Sequence, residues 1–316
     1  MPQTELDFAS SEFDVFARKP VQNAILETKE VVYNPIVSVD QTDLEFLIPE
    51  DDTFVDPDIK LYIRGKFTKS DGTDVDASEY TAGTNNFLHS LFSQCTVFLN
   101  GVNITQSGDL YNFRYLEVLL TYGSDASLAH LTNSYWYKDT GNMLPCDPTK
   151  TYDDTTSTGF IDRWNRQKQI KVIDMYARVH SDICILPKFI IPGVRIKIKI
   201  TKAEQDICLV SGTPDSKTIR FLSARLYVRR VRANPIIMVA LNNTLNTSPA
   251  IYNLTVELKT FTFSSGTQSL SIDNAVIGRI PKRLLITMRA NKDFLGNINR
   301  TPTSYSISVC ATLQCL

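Results

Sequence analysis

The chain has 316 residues, of which 43% are hydrophobic, and its 33 basic and 34 acidic side chains give a formal net charge of −1 at pH 7. This length and hydrophobic content suffice for one large all-β unit or for two domains of similar size. The near balance of charge excludes a global field that would draw the protein to nucleic acid or to an anionic membrane.

The N-terminal segment, residues 1–32, is polar and weakly periodic, and we predict that it forms an arm lying on another surface. Its acidic residues stand where a signal peptide needs basic ones. No stretch of the chain approaches about 18 uninterrupted apolar residues, so we expect no membrane insertion. The sequence therefore predicts a soluble protein that is made in the cytoplasm.

Short β-rich runs, separated by turn residues, recur along most of the chain. They occupy residues 58–67, 95–101, 169–180, 194–202, 219–231, 253–263 and 282–288. Because helical periods are few, this pattern favours sandwiches or barrels over βαβ units. We therefore predict an all-β fold.

The run at 194–202 reads VRIKIKITK, in which isoleucine and basic residues alternate one for one. A period of two places the isoleucines on one face and Arg195, Lys197 and Lys199 on the other, as in a half-buried strand. We predict that the basic face is solvated or paired with acidic neighbours. The alternative is a local contact with a polyanion such as DNA.

One segment departs from the strand pattern. In LYNFRYLEVLLTYG, residues 110–123, Phe113, Leu116, Leu119 and Leu120 share a helical face. Gly123 stands where a left-handed residue would end a helix. The sequence therefore predicts one short helix, over 111–121, inserted between strands.

The stretch VSGTPDSK, residues 210–217, is rich in Gly, Pro, Ser and Asp, a composition typical of a linker. It is the strongest candidate for a domain boundary. We predict an arm over 1–32, a first domain over 33–212 and a second domain over 213–316.

Residue types with catalytic or metal-binding chemistry lack the spacing that such sites need. The three histidines, His89, His130 and His180, are far apart in the sequence and form no HxH or HExxH motif. The six cysteines form no CxxC motif, and we interpret them as buried free thiols. The nucleophile elbow and the glycine-rich nucleotide loops are also missing from the sequence. Two pairs of adjacent aspartates, at 51–52 and 153–154, are interpreted as solvated loop residues. We predict no enzyme, no metal and no cofactor.

The densest basic cluster is ARLYVRRVR, residues 224–232. On a strand, Arg225 and Arg229 share one face and Arg230 and Arg232 take the other, so the charge is split and forms no single groove for a phosphate backbone. We interpret these arginines as subunit contacts or local ion pairs, with DNA binding as the alternative.

Aromatic side chains are concentrated at Tyr135, Trp136 and Tyr137. Packing in a core or at an interface is the expected role, because no basic residue interleaves with these rings as base stacking would require. Phe54 is a further aromatic candidate for an interface.

Several blocks of sequence resemble one protein family. They are NNFLHSLFSQCTVFLNG (85–101), LYNFRYLEVLLTYGSDASLAHL (110–131), YKDTG (137–141), IDMYARVHSDIC (173–184), IIPGVRIKIKITKAEQDICLVSG (190–212), ARLYVRRVRANP (224–235), LKTFTFSSGTQSLSIDN (258–274) and IGRIPKRLLI (277–286). In this order they resemble the major capsid proteins of Polinton (Maverick) elements and adintoviruses. The beginning, SEFDVFARKPVQNAILETKEVVYNPI (11–36), also looks like the family's N-terminal segment, so the resemblance covers about residues 11–302.

The resemblance implies a structural virion protein with a double jelly-roll fold and no catalytic activity. Three chains would form a pseudo-hexameric capsomer, and capsomers would tile an icosahedral shell, with assembly in the nucleus. The implied partners are further copies of the chain and a minor capsid or penton protein, with no specific nucleic acid. The candidate intersubunit contacts are Phe54, Tyr135, Trp136, Tyr137, Arg225, Arg229 and Arg230.

The chain departs from the family near its C-terminus. Residues 303–316, TSYSISVCATLQCL, alternate as one strand does, whereas the family continues through several more. We therefore expect the second jelly roll to be incomplete. The alternative functions are a host-retained, capsid-derived binding protein that no longer assembles, and a carbohydrate-active or metal-dependent jelly-roll enzyme.

Overall fold

The structure is a computed structural model, and it describes residues 22–76, 79–105, 110–141, 144–151, 153–168, 172–212, 217–252, 258–267, 270–273, 284–300 and 302. Within these ranges, the side chains of residues 110–113 are not described. Most of the predicted arm, up to residue 21, lies outside the described residues, as do the predicted strand within 303–316 and residues 213–216 of the predicted boundary.

Eleven strands occur in the described part of the chain. They are β1 Ile25–Tyr33, β2 Asp43–Ile48, β3 Phe54–Val55, β4 Lys60–Lys69, β5 Thr81–Gly83, β6 Phe92–Leu99, β7 Val102–Asn103, β8 Ile173–Arg178, β9 Ile196–Lys202, β10 Leu209–Ser211 and β11 Lys217–Ala233.

Five predicted strands are confirmed, since β4, β6, β8, β9 and β11 overlap the first five predicted runs. The predictions over 253–263 and 282–288 are wrong in their described parts, because residues 258–263 and 284–288 form no strand. An alternating sequence becomes a strand only where a neighbouring edge offers hydrogen bonds. No strand of the described sheets pairs with either run.

Helices are more numerous than the sequence predicts. They are α1 Phe87–Ser90, α2 Leu110–Thr121, α3 Ser124–Leu128, α4 Thr158–Lys168, α5 Asp182–Ile185, α6 Gln205–Cys208, α7 Pro235–Leu245 and α8 Asn291–Phe294, with a 3-10 helix at His130–Ser134. The predicted helix is confirmed as α2. The expectation of a single helix in an all-β chain is wrong, because the described part is a β-fold with several helices between its strands.

The start of α7 carries a signal that is readable in the sequence. The Asn234 side chain accepts a hydrogen bond from the backbone N–H of Ile236 at 3.0 Å, and Pro235 occupies the first turn. Gly123, by contrast, does not end α2 in a left-handed conformation, since its φ is −83°. The chain enters α3 directly after it, and an extended residue is what that entry requires.

The main strands form two antiparallel sheets. Their orders are β1-β11-β4-β8, with β3 also paired to β11, and β2-β9-β6-β7; β5 and β10 form a separate pair. Four nested pairs run from the outer strands toward the middle of the sequence: β1 with β11, β2 with β9, β4 with β8, and β6 with β7. A ribbon of nested antiparallel pairs rolled into two sheets is a jelly roll, and residues 25–233 form one.

The pairing of β1 with β11 bears on where the first domain begins and ends. Strand β1 begins inside the predicted arm and β11 lies beyond the predicted boundary, yet the two strands pair with each other over most of β1. We therefore propose that the first unit spans residues 25–233 instead of 33–212. The second jelly roll over the following residues stays a prediction.

One apolar core lies between the two sheets. It joins the inward side chains of β2, β6 and β9 to those of β4, β8 and β11, and Phe46, Ile63, Ile198 and Leu226 are completely buried within it. Alternation in these strands supplies the inward residues at every second position. The two sheets are therefore held together by one shared apolar core.

The basic row of β9 is paired with acidic residues of β2, as predicted. Lys197 Nζ lies 2.9 Å from Glu45 Oε2, and Lys199 Nζ lies 2.9 Å from Asp43 Oδ2. The hydroxyl of Thr201 and the ammonium of Lys199 hold the pKa of the Asp43 carboxyl below its usual value. The opposite row, the isoleucines of β9, is buried. The strand thus has a dry face and an ion-paired face.

Substitutions on the two faces of β9 are expected to differ sharply. Ile198→Ala should lower the free energy of unfolding by about 2–5 kcal/mol, because it leaves a cavity in the shared core. Lys197→Gln with Lys199→Gln should change it by less than about 1 kcal/mol per pair, because exposed ion pairs contribute little. Urea unfolding of the three proteins checks this, and a larger loss in the lysine variant would contradict it.

Candidate functional site

The predicted aromatic contacts divide into buried and accessible rings. Trp136 is 5% exposed and its ring lies 5.2 Å from that of Tyr115, while the ring of Tyr135 lies 6.3 Å from that of Phe87. Tyr137 is half-buried beneath Arg166, and Phe54 is half-buried against Phe189. Tyr135 and Trp136 are therefore buried by contacts within the chain.

The predicted arginine contacts divide in the same way. Arg229 pairs with Asp56, which directly follows β3, with Nε 2.7 Å from the carboxylate. Arg230 lies on the other face, is 6% exposed, and donates to the Pro49 carbonyl at 2.7 Å and to the Tyr33 hydroxyl at 2.9 Å. The predicted split of the charge onto two faces is confirmed. Arg225 is exposed.

Helix α7 leaves its apolar residues in solvent. Its sequence is PIIMVALNNTL, and none of its residues is buried. Ile236 is 76% exposed and Val239 is 60% exposed. An exposed apolar helix directly after the last strand of a jelly roll is typical of a surface that another molecule covers.

Large apolar side chains are also exposed further along the chain. They are Ile251, Phe261, Phe263, Leu270, Ile272, Leu284, Leu285, Ile286 and Leu295. Scattered exposed apolar residues are normal, but a concentration in one part of the sequence has to be covered by further parts of the same chain or by another molecule.

Of the cysteines in the described ranges, three are buried thiols. Burial raises the pKa of Cys95 to about 12 and raises the pKa of Cys184 and Cys208. A thiol with a raised pKa is a poor nucleophile at neutral pH. The prediction of buried free thiols is confirmed for these three, Cys146 is half-buried, and Cys310 and Cys315 lie outside the described residues.

A buried ion pair anchors α4. The guanidinium of Arg163, completely buried, lies 2.7 Å from Asp139 Oδ1 and donates at 2.7 Å to the Gly83 carbonyl and also to the Tyr137 carbonyl. Asp139 also accepts from the Ser157 hydroxyl at 3.0 Å. Arg163 thereby joins α4, β5 and the loop after the aromatic run, which is an architectural role.

The fold brings together two histidines that are far apart in the sequence. His89 in α1 and His180 in the loop before α5 have ring centroids 4.1 Å apart. This pair is not among the sites predicted from the sequence. No sequence signal marks it, because strand pairing alone decides which loops meet.

Neither a metal centre nor a membrane span is present in the described ranges. Within them, no group of three or more His, Cys, Asp or Glu side chains is placed to hold a metal ion. No helix there combines the length and apolar character needed to cross a membrane.

No protein-family model matches the chain, and no curated protein sequence matches it. Among solved structures, a cryo-EM structure of the Sputnik virophage is similar, with a TM-score of 0.45 and 10% identity over 74% of this chain and 53% of that one. The Faustovirus major capsid protein has a TM-score of 0.42 and 10% identity over 77% of this chain and 59% of its own. The mavirus major capsid protein has a TM-score of 0.42 and 9% identity over 75% and 52%. The chain thus spans a little more than half the length of these structures.

Proposed function

We propose that this chain is a structural capsid protein that acts by self-association in a virion shell and performs no catalysis. The proposal includes a homotrimeric, pseudo-hexameric capsomer and a second jelly roll built from residues after 233. Ordered blocks of sequence that resemble Polinton and adintovirus capsid proteins support the family. The jelly roll over residues 25–233 supports the architecture.

The proposal rests above all on the exposed apolar residues of α7. Burying an apolar side chain of this size stabilises a complex by roughly 1.5–3 kcal/mol. A surface that leaves Ile236 and Val239 in water is expected to associate until they are covered. Obligate interfaces between subunits are large and apolar, which suits such a surface.

The candidate contacts can now be ranked by accessibility. Arg225 is exposed, Phe54 and Tyr137 are half-buried, and Arg229 is exposed with its head group on Asp56. These four keep accessible surface for a neighbouring subunit. Tyr135, Trp136 and Arg230 lie inside the chain, where they stabilise the unit that assembles. The role of all seven in subunit contacts remains part of the proposal.

Self-association is tested by size-exclusion chromatography with light scattering on the full chain. The native protein is expected at the mass of three chains or a multiple of it. Ile236→Asp with Val239→Asp should weaken association at least about a hundredfold, because two charges replace apolar groups at the contact. Asn242→Asp, at an exposed polar position of the same helix, is the matched control and should leave the mass unchanged.

Two results would contradict the proposal. One is a folded native protein that stays monomeric at every accessible concentration. The other is a charged α7 variant that associates as strongly as the native chain. A stable monomer that binds a different protein through α7 would support a capsid-derived binding protein instead.

A further inference from the structure

The histidine pair lies where four elements meet. His89 belongs to α1, His180 follows β8 and precedes α5, and α2 packs beside both. The His89 residue is 6% exposed and the His180 side chain 9% exposed. Two of the three imidazoles of the chain are thus in ring contact and almost out of water.

The hydrogen bonds of this pair can accommodate one imidazolium. For His89, Nδ1 lies 2.7 Å from Asn86 Oδ1 and Nε2 lies 3.1 Å from the Arg178 carbonyl oxygen. Two ring nitrogens that face two oxygens fully satisfy a protonated ring, whereas a neutral ring can donate to only one of the two oxygens. His180 is different, since its Nδ1 has no hydrogen-bond partner among the described residues and lies 3.7 Å from Glu117 Oε2.

The surrounding charges oppose a second proton. The buried guanidinium of Arg114, from α2, is bonded to Glu117 and lies 3.8 Å from Asp182 of α5, so both carboxylates already have a cationic partner. Arg178 of β8 adds a second guanidinium, which is paired with Asp58. Two imidazolium rings 4.1 Å apart would repel each other across a space from which water is largely excluded.

We propose that the contact between His89 and His180 is an acid-sensitive latch, which holds α1, α2 and the β8–α5 loop together at neutral pH and opens when both rings are protonated. Opening exposes the rings to water, where each proton is accommodated without the repulsion. The latch therefore separates two states of the jelly roll by the number of protons bound. It does not depend on the proposed capsid function.

The direction of the pH dependence follows from burial. Burial holds the pKa of His89 at about 4, although the hydrogen bond to the Arg178 carbonyl opposes this shift, and the charge of Arg114 adds to it. Burial also lowers the pKa of His180 well below its usual value, and the His89 ring, Arg114 and Arg178 add to that effect. A histidine in the open state titrates near about 6.5. Below that pH the open state binds more protons, so opening becomes easier as the pH falls from about 6.5 toward about 4. The latch is fully closed above this window.

Hydrogen exchange of the full chain, read by mass spectrometry between pH 7.5 and pH 5.0 and corrected for intrinsic exchange, tests the latch. Above pH 5 most carboxylates stay ionised, so this window isolates the histidines. The opening constant of peptides in 110–121 and 179–186 should rise by about tenfold to a hundredfold per pH unit below about 6.5, for one or two protons taken up. Peptides of β2 and β9 should show no such rise.

Variants assign the effect to the pair. His89→Gln with His180→Gln should abolish the rise, and each single substitution should reduce its slope. His130→Gln is the matched control, because His130 is exposed and should leave the slope unchanged. An acid-independent native chain, a rise that persists in the double variant, or a loss of the rise in the His130 variant would each overturn the latch. Should the double variant not fold at pH 7.5, the native chain and the single variants decide the matter.

Discussion

A chain that ends at residue 212 is expected not to fold, whereas a chain that ends at residue 245 is expected to keep both sheets of the jelly roll. The difference between the two is strand β11 with α7. Strand β11 lies between β1 and β4, and it pairs with β4 over residues 217–227 and with β1 over residues 226–233. Without it, two strands present unpaired edges to water.

Removing β11 also removes several apolar side chains from the core. Phe221, Ala224, Leu226 and Val228 of β11 all belong to the shared apolar core. Burying each of the three larger ones contributes roughly 1.5–3 kcal/mol, against a total stability of about 5–15 kcal/mol for a domain. The sum is large enough to remove the folded state.

Chains covering residues 1–212 and 1–245 make the comparison direct. Circular dichroism with thermal unfolding should show a cooperative transition for the longer chain alone. The longer chain loses several described contacts. Among them are the hydrogen bond from Ser211 N–H to the Ile298 carbonyl at 2.7 Å and those of the Tyr252 hydroxyl with the Phe189 carbonyl and the Ile191 N–H, each at 3.0 Å, so a modest drop in melting temperature is expected. Cooperative unfolding of the shorter chain would show that the first unit ends at 212 after all.

Arg163→Met is expected to lower the free energy of unfolding by about 3–5 kcal/mol, the largest effect of a single substitution that we expect. The substitution leaves the Asp139 carboxylate buried without its cation, and it removes the donors to the carbonyls of Gly83 and Tyr137. An unpaired buried charge is far more costly than a missing pair. Denaturant unfolding monitored by Trp164, which lies on the same helix, measures the loss.

Two further variants separate charge from packing. Arg166→Met alters an exposed arginine of the same helix and should cost less than about 1 kcal/mol. Arg163→Met combined with Asp139→Asn should be less damaging than the two single losses added together, because no charge is left buried. Equal costs for Arg163→Met and Arg166→Met would show that the buried pair has no structural importance.

Gly83 illustrates how closely the elements approach near this ion pair. A Cβ atom at Gly83 would lie 2.3 Å from ring carbons of Phe87, which is too close for any side chain. The carbonyl of the same residue accepts from Arg163. Only glycine lets β5 lie against α1 while its carbonyl faces α4.

The sequence by itself determined the strands whose two faces meet different environments. In β9 the isoleucines and the basic residues alternate without a break, and the structure buries the first set and pairs the second with β2. A period of two is a local property, so it is visible before any partner is known. Helix α2 was predictable for the same reason, from its period near four.

Other elements could not be predicted from the sequence, because what forms or prevents them is not local. The run at 258–263 alternates as a strand does and the run at 284–288 is mostly apolar, but no described neighbour offers either of them an edge. Helix α4 is short and mostly polar. Its apolar residues Phe160, Ile161 and Trp164 are buried only because they pack against Ala82 of β5 and Val210 of β10. Burial of that face by packing, more than helix propensity, stabilises such a helix.

Only the tertiary structure decided which distant residues meet. The nested pairing of the strands brings β1 to β11, and this moves the proposed end of the first unit to residue 233. The fold also brings His89 into contact with His180, although 91 positions separate them in the sequence, and it pairs Arg163 with Asp139. Contacts of this kind depend on the path of the chain through the two sheets, and no short window of sequence contains that path. Which side chains of a strand face the core, in contrast, is already visible in the strand's own residues.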